Sequence, residues 1–210
     1  MKKVGILIGV LVVILSACAT WRLERALSSD VAKWYDQHRH IMQYRVPDRI
    51  AKKQTEMDYF LHLTPALQRF YIKQFWGIRF PNAEEDFKTR IKLANAAFRN
   101  EGQDGWRTDR GILLLMCGQP DYIDFFTSDG QVCFENNADW ETDEIQQIWR
   151  YWLGAGLTQL IEFRFIWSYR DKVWRLDKVY SLDQLQFIQY QQSLMAPTED
   201  GWDRWLEAIK

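Results

Sequence analysis

Carboxylates are the first residues to weigh for chemistry. Asp109, Asp121 and Asp124 flank an apolar run over residues 112–117. Two facing carboxyl groups can act as acid and base on a glycosidic bond. The run predicts a buried strand, and at about 3.3 Å per residue it would hold Asp109 and Asp121 roughly 20 Å apart. That spacing disfavours a dyad, so a turn brace or an ion pair with Arg110 is the expected role of Asp109. Nucleophiles fare no better. There is no Gly-x-Ser-x-Gly, and Cys117 sits in the apolar run, where a thiol is inert and no histidine is near it in sequence. Cys117 and Cys133 both fall on expected strands, and two states stay open: a disulfide, or two buried free thiols. The three histidines are His38, His40 and His62. His38 and His40 would point about 200° apart on a helix, which does not build a metal site. Gly105 and Gly111 are not followed by the Lys-Ser/Thr of a phosphate loop. No catalytic residue, metal or cofactor is therefore expected. Aromatics are the last candidates. Trp106, Trp140, Trp149 and Trp152 could stack on sugars, though core packing accounts for most of the eleven tryptophans. Trp140 lies in a polar stretch where no periodicity explains it, which makes it the best exposed candidate for a ligand contact.

The chain begins with a basic Met1-Lys2-Lys3, then an apolar stretch from Val4 to Leu15, then Ser16-Ala17-Cys18. That stretch is shorter than the about 20 residues of a membrane span and has the layout of a secretory signal. Small residues before Cys18 form a lipobox, so Cys18 is the expected site of acylation, with palmitate-type chains, and the first mature residue. Ala19, rather than Asp, follows it, which favours the outer membrane over retention at the inner one. Cleavage takes Lys2 and Lys3 from the 27 basic residues and leaves 25 against 28 acidic ones, a formal charge of −3. That near balance argues against nucleic acid as a partner. The expected layout is a lipoprotein signal peptide at 1–17, a tether at 18–29, and one domain with a helical half at 30–104 and a sheet half at 105–210.

The elements are organised around the turn Gly105-Trp106-Arg107-Thr108-Asp109-Arg110-Gly111. Before it, residues 30–104 predict helices. The first carries Val31, Trp34, Tyr35, His38 and Met42 on one face. The second spans about 48–62, and the third opens on Thr64 and Pro65. The fourth follows an Asn82 capping box and carries Phe87, Ile91, Ala94 and Phe98. After the turn come strands near 112–117, 122–127, 131–135, 147–153, 161–167 and 173–180. On the fifth of these Ile161, Phe163, Phe165 and Trp167 face one side, and Glu162 and Arg164 the other. Helices near 181–195 and 201–209 close the chain. The predicted fold class is α+β: N-terminal helices, an antiparallel β-meander and a C-terminal helix.

Gly105-Trp106-x-Thr108-Asp109 resembles the signature of GWxTD-domain proteins, bacterial envelope proteins of unassigned activity. Tyr71 to Trp76, Ala94-Asn95 with Phe98, and Gly118-Gln119-Pro120-Asp121 resemble that family's other landmarks, and the likeness covers roughly residues 55–180. Arg79-Phe80-Pro81 departs from the family's Arg-Asp-Pro. The resemblance implies a cell-envelope compartment and no mechanism. Gly105, Trp106, Thr108, Asp109, Arg110 and Gly111 are the expected organising site. Trp106 is expected under the first strand, and Asp109 is expected to accept from nearby backbone N–H groups or from Arg110. The expected function is that of an outer-membrane-anchored lipoprotein with a non-catalytic structural or protein-interaction domain. Its partners would be the membrane, through the lipid anchor, and an envelope protein. The alternative is a glycan-binding or glycan-processing envelope protein.

Overall fold

The computed structural model describes residues 20–127, 145–152, 160–177 and 180–210. It is an α+β protein whose described strands form one four-stranded antiparallel sheet. The chain divides into two compact units. One runs to Phe80 and resumes at Ala196, and the other is Pro81–Met195. Cys18, Cys133, Trp140 and the strand expected at 131–135 lie outside the described residues. No described helix is long and apolar enough to cross a membrane.

The first unit is helical. α1 (Ser29–His38) buries Val31, Tyr35 and His38, and a 3-10 turn, Arg39–Ile41, extends it. The helix expected over 48–62 is shorter. α2 spans Glu56–His62, because Thr55 forms a capping box with Asp58 and starts the helix there. Ahead of it the chain doubles back, with Arg45 bridged to Thr55. α3 (Pro65–Gln74) begins as expected, with Thr64 as cap and Pro65 in the first turn. α7 (Glu199–Ala208) is capped by Thr198, whose N–H donates to Ile78 O at 3.0 Å. A Cβ at Gly201 would overlap the Ile78 carbonyl, so only glycine lets α7 lie this close. Trp202 and Trp205 of α7 then reach Tyr71. Trp205 meets that ring edge-on at 4.9 Å.

The second unit contains α4 (Ala83–Phe98), α5 (Asp109–Cys117), the sheet and α6 (Leu182–Leu194). The strands β1 (Tyr122–Phe126), β2 (Gln146–Trp152), β3 (Leu160–Ser168) and β4 (Val173–Leu176) pair in sequence order. Trp149 pairs with Phe163, and Gln147 with Phe165, on the covered face. The alternation expected for β3 holds: Ile161, Phe163 and Phe165 are buried, while Glu162 and Arg164 are exposed. Two expectations fail here. Asn82 stands at the start of α4 with helical backbone, φ −92° and ψ −2°, so its side chain forms no cap. More important, residues 112–117 are helix, not strand. Thr108 caps α5 and Gly118 ends it at φ +79°. Leu113, Leu114, Leu115 and Cys117 are all buried. A short helix enclosed on most sides needs apolar residues without a helical period, and such a run looks the same as a buried strand.

Candidate functional site

The turn that opens α5 is held by backbone proximity first. Gly105–Arg107 forms a 3-10 turn lying on α4. A Cβ at Gly105 would stand 2.8 Å from Asn95 Cα, and one at Gly111 would stand 2.7 Å from Trp106 Cα. Both glycines are thus set by close approach of backbones, and neither by a left-handed φ. Thr108 then closes the turn on both sides. Its Oγ1 donates to Gly105 O at 2.8 Å and accepts from Gly111 N at 2.9 Å. Trp106 N donates to Asn95 Oδ1 at 3.3 Å. The Trp106 ring is buried, as expected, but no strand lies at residues 112–117 for it to sit under. It packs in the 3-10 turn against helices, with the Arg107 guanidinium 4.8 Å from its centroid.

Asp109 occupies the first turn of α5, where a carboxylate complements the helix dipole. Its Oδ2 accepts from Leu176 N of β4 at 2.9 Å. The expected backbone bond is therefore present, made across the fold to a strand; Arg110 turns elsewhere. Its Nε and Nη2 donate to Glu101 Oε1 at 3.0 and 2.7 Å, and its Nη1 to Gln147 Oε1 at 3.2 Å. The other Glu101 oxygen accepts from Trp174 N at 3.0 Å. Gln147 Oε1 also accepts from Trp149 Nε1 at 3.0 Å. The guanidinium lies 4.4 Å from the Phe98 ring centroid and 5.3 Å from that of Trp174. One side chain thus joins α4, the 3-10 turn after it, β2 and β4. Glu101, Gln147 and Trp174 carry this network with Arg110. Glu101 gave no sequence signal, because a single acid beside Gly102 looks like a solvated helix end.

The other carboxylates are dispersed. Asp121 Oδ2 accepts from Trp152 N at 2.6 Å, and Asp124 pairs with Arg150, which also holds Glu162 at 2.6 Å. Asp109 and Asp121 brace different strands, so they form no acid–base pair; the intervening element that separates them is α5. Cys117 is a free thiol, and burial pushes it up to about 12. At neutral pH it stays protonated and is a poor nucleophile. Burial, first, and the charge of Arg79 push His38 down to about 4, and its Nδ1 donates to Trp34 O at 2.8 Å. Among the described residues no three His, Cys, Asp or Glu side chains converge on a point that could hold a metal ion. Trp149 is buried, while Trp152 is half exposed at the end of β2. An open groove of about 600 Å³ runs beside β3 and the start of α6, lined by Glu162, Arg164, Asp177, Tyr180 and Gln184 among others. Among the described residues that line it, Tyr180 is the one aromatic.

Comparison with known proteins gives no matching family model, no similar curated protein and no similar solved structure.

Sequence reasoning missed a second buried cluster, in the first unit. Arg79 pairs with Glu56 Oε1, which also accepts from Tyr71 Oη at 2.6 Å. Arg79 Nη1 donates to Phe75 O at 2.6 Å, and the guanidinium lies 3.4 Å from the Phe75 centroid. Glu56 Oε2 is buried without a hydrogen-bond partner. A signal existed in part: Thr55 to Asp58 is a capping box, which places Glu56 at a helix start, but nothing in the sequence turns it inward.

Proposed function

We propose that this chain is an acylated envelope protein of the GWxTD-domain kind, anchored at the outer membrane through Cys18. Its folded part acts as a structural or protein-interaction module. The observation that carries the non-catalytic reading is the occupancy of the motif side chains. Thr108 and Arg110 spend their hydrogen-bonding atoms on Gly105, Gly111, Glu101 and Gln147, and one oxygen of Asp109 is held by the Leu176 N–H. A catalytic acid, base or oxyanion donor must instead be within reach of a substrate. The glycan-processing alternative needs paired carboxylates, and Asp109 and Asp121 serve separate strands.

The anchor rests on the sequence of the first eighteen residues and on the resemblance carried by Gly105, Trp106, Thr108 and Asp109. Mass spectrometry of the amino-terminal peptide from the full chain, expressed in a two-membrane bacterium, tests it. The expected mass is that of a peptide beginning at Cys18 with acyl and diacylglyceryl groups, found in the outer-membrane fraction and lost in Cys18→Ser. An unmodified peptide retaining residues 1–17 would overturn the anchor. Specific hydrolysis of cell-wall glycan by the purified chain, absent in Asp109→Asn, would overturn the non-catalytic reading.

A further inference from the structure

The residues that first follow Cys18 have a shape of their own. Residues 20–25 are helical, and Ala26 N donates to Arg22 O at 3.2 Å. Leu23 and Glu24 are half-buried, while Trp21, Arg22 and Arg25 are exposed. Trp21 is 52 % exposed, and the Arg25 guanidinium lies 3.8 Å from its ring centroid. Positions 21, 22 and 25 share one helix face, so the outward surface is an indole flanked by two guanidinium groups. The one acid in this turn does not offset them. Glu24 faces inward, accepting from Tyr35 Oη at 3.0 Å and lying 3.9 Å from Arg39. Burial, first, and the Glu24 charge then push the Tyr35 phenol above its usual range, so it stays a neutral donor.

We propose that Trp21, Arg22 and Arg25 form a contact site for anionic phospholipid headgroups, an inference that rests on the acylation of Cys18. Distance is the first argument. Trp21 lies three positions after Cys18, and an extended chain covers at most about 3.5 Å per residue, so the two Cα atoms stay within roughly 10 Å of each other. The headgroup layer on each side of a bilayer is of comparable depth, about 5–8 Å. The indole is therefore held at the level where tryptophan is most favoured in membranes. Charge is the second argument. Arginines at this level meet lipid phosphates, and each strengthens association with an anionic surface by about fivefold. The acyl chains supply attachment; Trp21 and the arginines set the lipid preference and the orientation of the domain above the bilayer.

The test uses the full acylated chain labelled with 5-fluorotryptophan. The fluorine resonance absent from Trp21→Phe identifies Trp21; this ring is exposed, so the substitution leaves the fold intact. The chain is placed in vesicles of phosphatidylethanolamine, with or without phosphatidylglycerol, containing a lipid with a nitroxide on its headgroup. The Trp21 signal is expected to broaden more than the signals of the buried tryptophans. The broadening should be several times greater with phosphatidylglycerol, and this gain should vanish in Arg22→Gln/Arg25→Gln. Absence of acyl groups by mass overturns both the anchor and this site. An acylated chain whose Trp21 signal stays sharp overturns the site alone. Equal broadening in both vesicles and in the double variant overturns its anionic selectivity. Broadening that depends on protein concentration and not on lipid would assign the face to a second copy of the chain.

Discussion

Each compact unit buries one arginine against one glutamate, but the two pairs are finished differently. In the second unit Arg110 meets Glu101 with two nitrogens and Gln147 with a third, and both Glu101 oxygens are used. In the first unit Arg79 and Tyr71 both converge on one oxygen of Glu56, and the other oxygen is left buried and unpaired. The charges are equally hidden. The side chains of Arg79 and Glu56 are 0 % and 1 % exposed, and those of Arg110 and Glu101 are 11 % and 3 %. Desolvation therefore penalises both pairs, and what separates them is compensation by hydrogen bonds. The second pair specifies an arrangement of several elements. The first leaves one lone-pair site unmet and is the weaker brace.

The largest effect is expected where the network is complete. Arg110→Gln should destabilise the protein by about 3–5 kcal/mol, because Glu101 would remain as a buried uncompensated charge. Urea unfolding measures this directly. A change within about 0.5 kcal/mol, as at an uninvolved surface position, would remove Arg110 from the fold and return it to the search for a ligand site.

The next effect should separate the two units by pH. All three histidines, His38, His40 and His62, lie in the first unit. Burial and, to a lesser degree, Arg79 push His38 down to about 4. An unfolded histidine keeps a value near 6.5, so between about 6.5 and 4 the unfolded chain binds the extra proton. The stability gained from a neutral His38 is therefore fully present above about 6.5. It declines as pH falls and reaches a loss of about 3 kcal/mol near pH 4. Hydrogen exchange at pH 7 and pH 4.5 should show protection falling first in α1–α3, and His38→Phe should blunt that fall. Equal loss of protection in α4, α5 and the sheet would refute a histidine origin.

How far the sequence revealed these two clusters follows from how each residue is surrounded. β3 was legible because one face is covered and the other open, which writes a period of two into Ile161 to Arg164. The strength of the Gly105–Gly111 turn was legible from its residue types, and its internal bonds are those of a capped helix start. α5 was misread because enclosure erases periodicity; the Thr108 cap followed by Asp109 was the available sign of a helix. Asn82 shows the opposite error, a capping sequence whose backbone never takes the extended form that capping needs. Arg110 was singled out with its turn, but its partners Glu101 and Gln147 lie 9 and 37 residues away. Glu56 and Arg79, 23 residues apart, carried no sign of their pairing. A buried ion pair is invisible when each partner, taken alone, looks like surface.

The smallest expected effect is the one that most sharpens the contrast between the pairs. Glu56→Leu, Tyr71→Phe and Arg79→Met, made together, remove the carboxylate, hydroxyl and guanidinium that meet in the first cluster and leave the Phe75 carbonyl without its Arg79 donor. Hydrophobic replacement of a whole buried pair is often neutral or stabilising, so the triple variant should unfold within about 2 kcal/mol of the wild type. The matching replacement of Glu101 by Leu and Arg110 by Met should not recover in this way. It leaves the Trp174 N–H without its acceptor, and a buried group stranded like this costs about 1–3 kcal/mol; Gln147 Oε1 keeps only the Trp149 Nε1 donor. Urea midpoints of the two combined variants decide the matter. If the first is as damaged as the second, the unpaired Glu56 oxygen has a partner that stabilises it, and the two clusters are braces of the same kind. If the first is nearly silent, Glu56 and Arg79 are kept for something other than stability, because the fold does not need their charge.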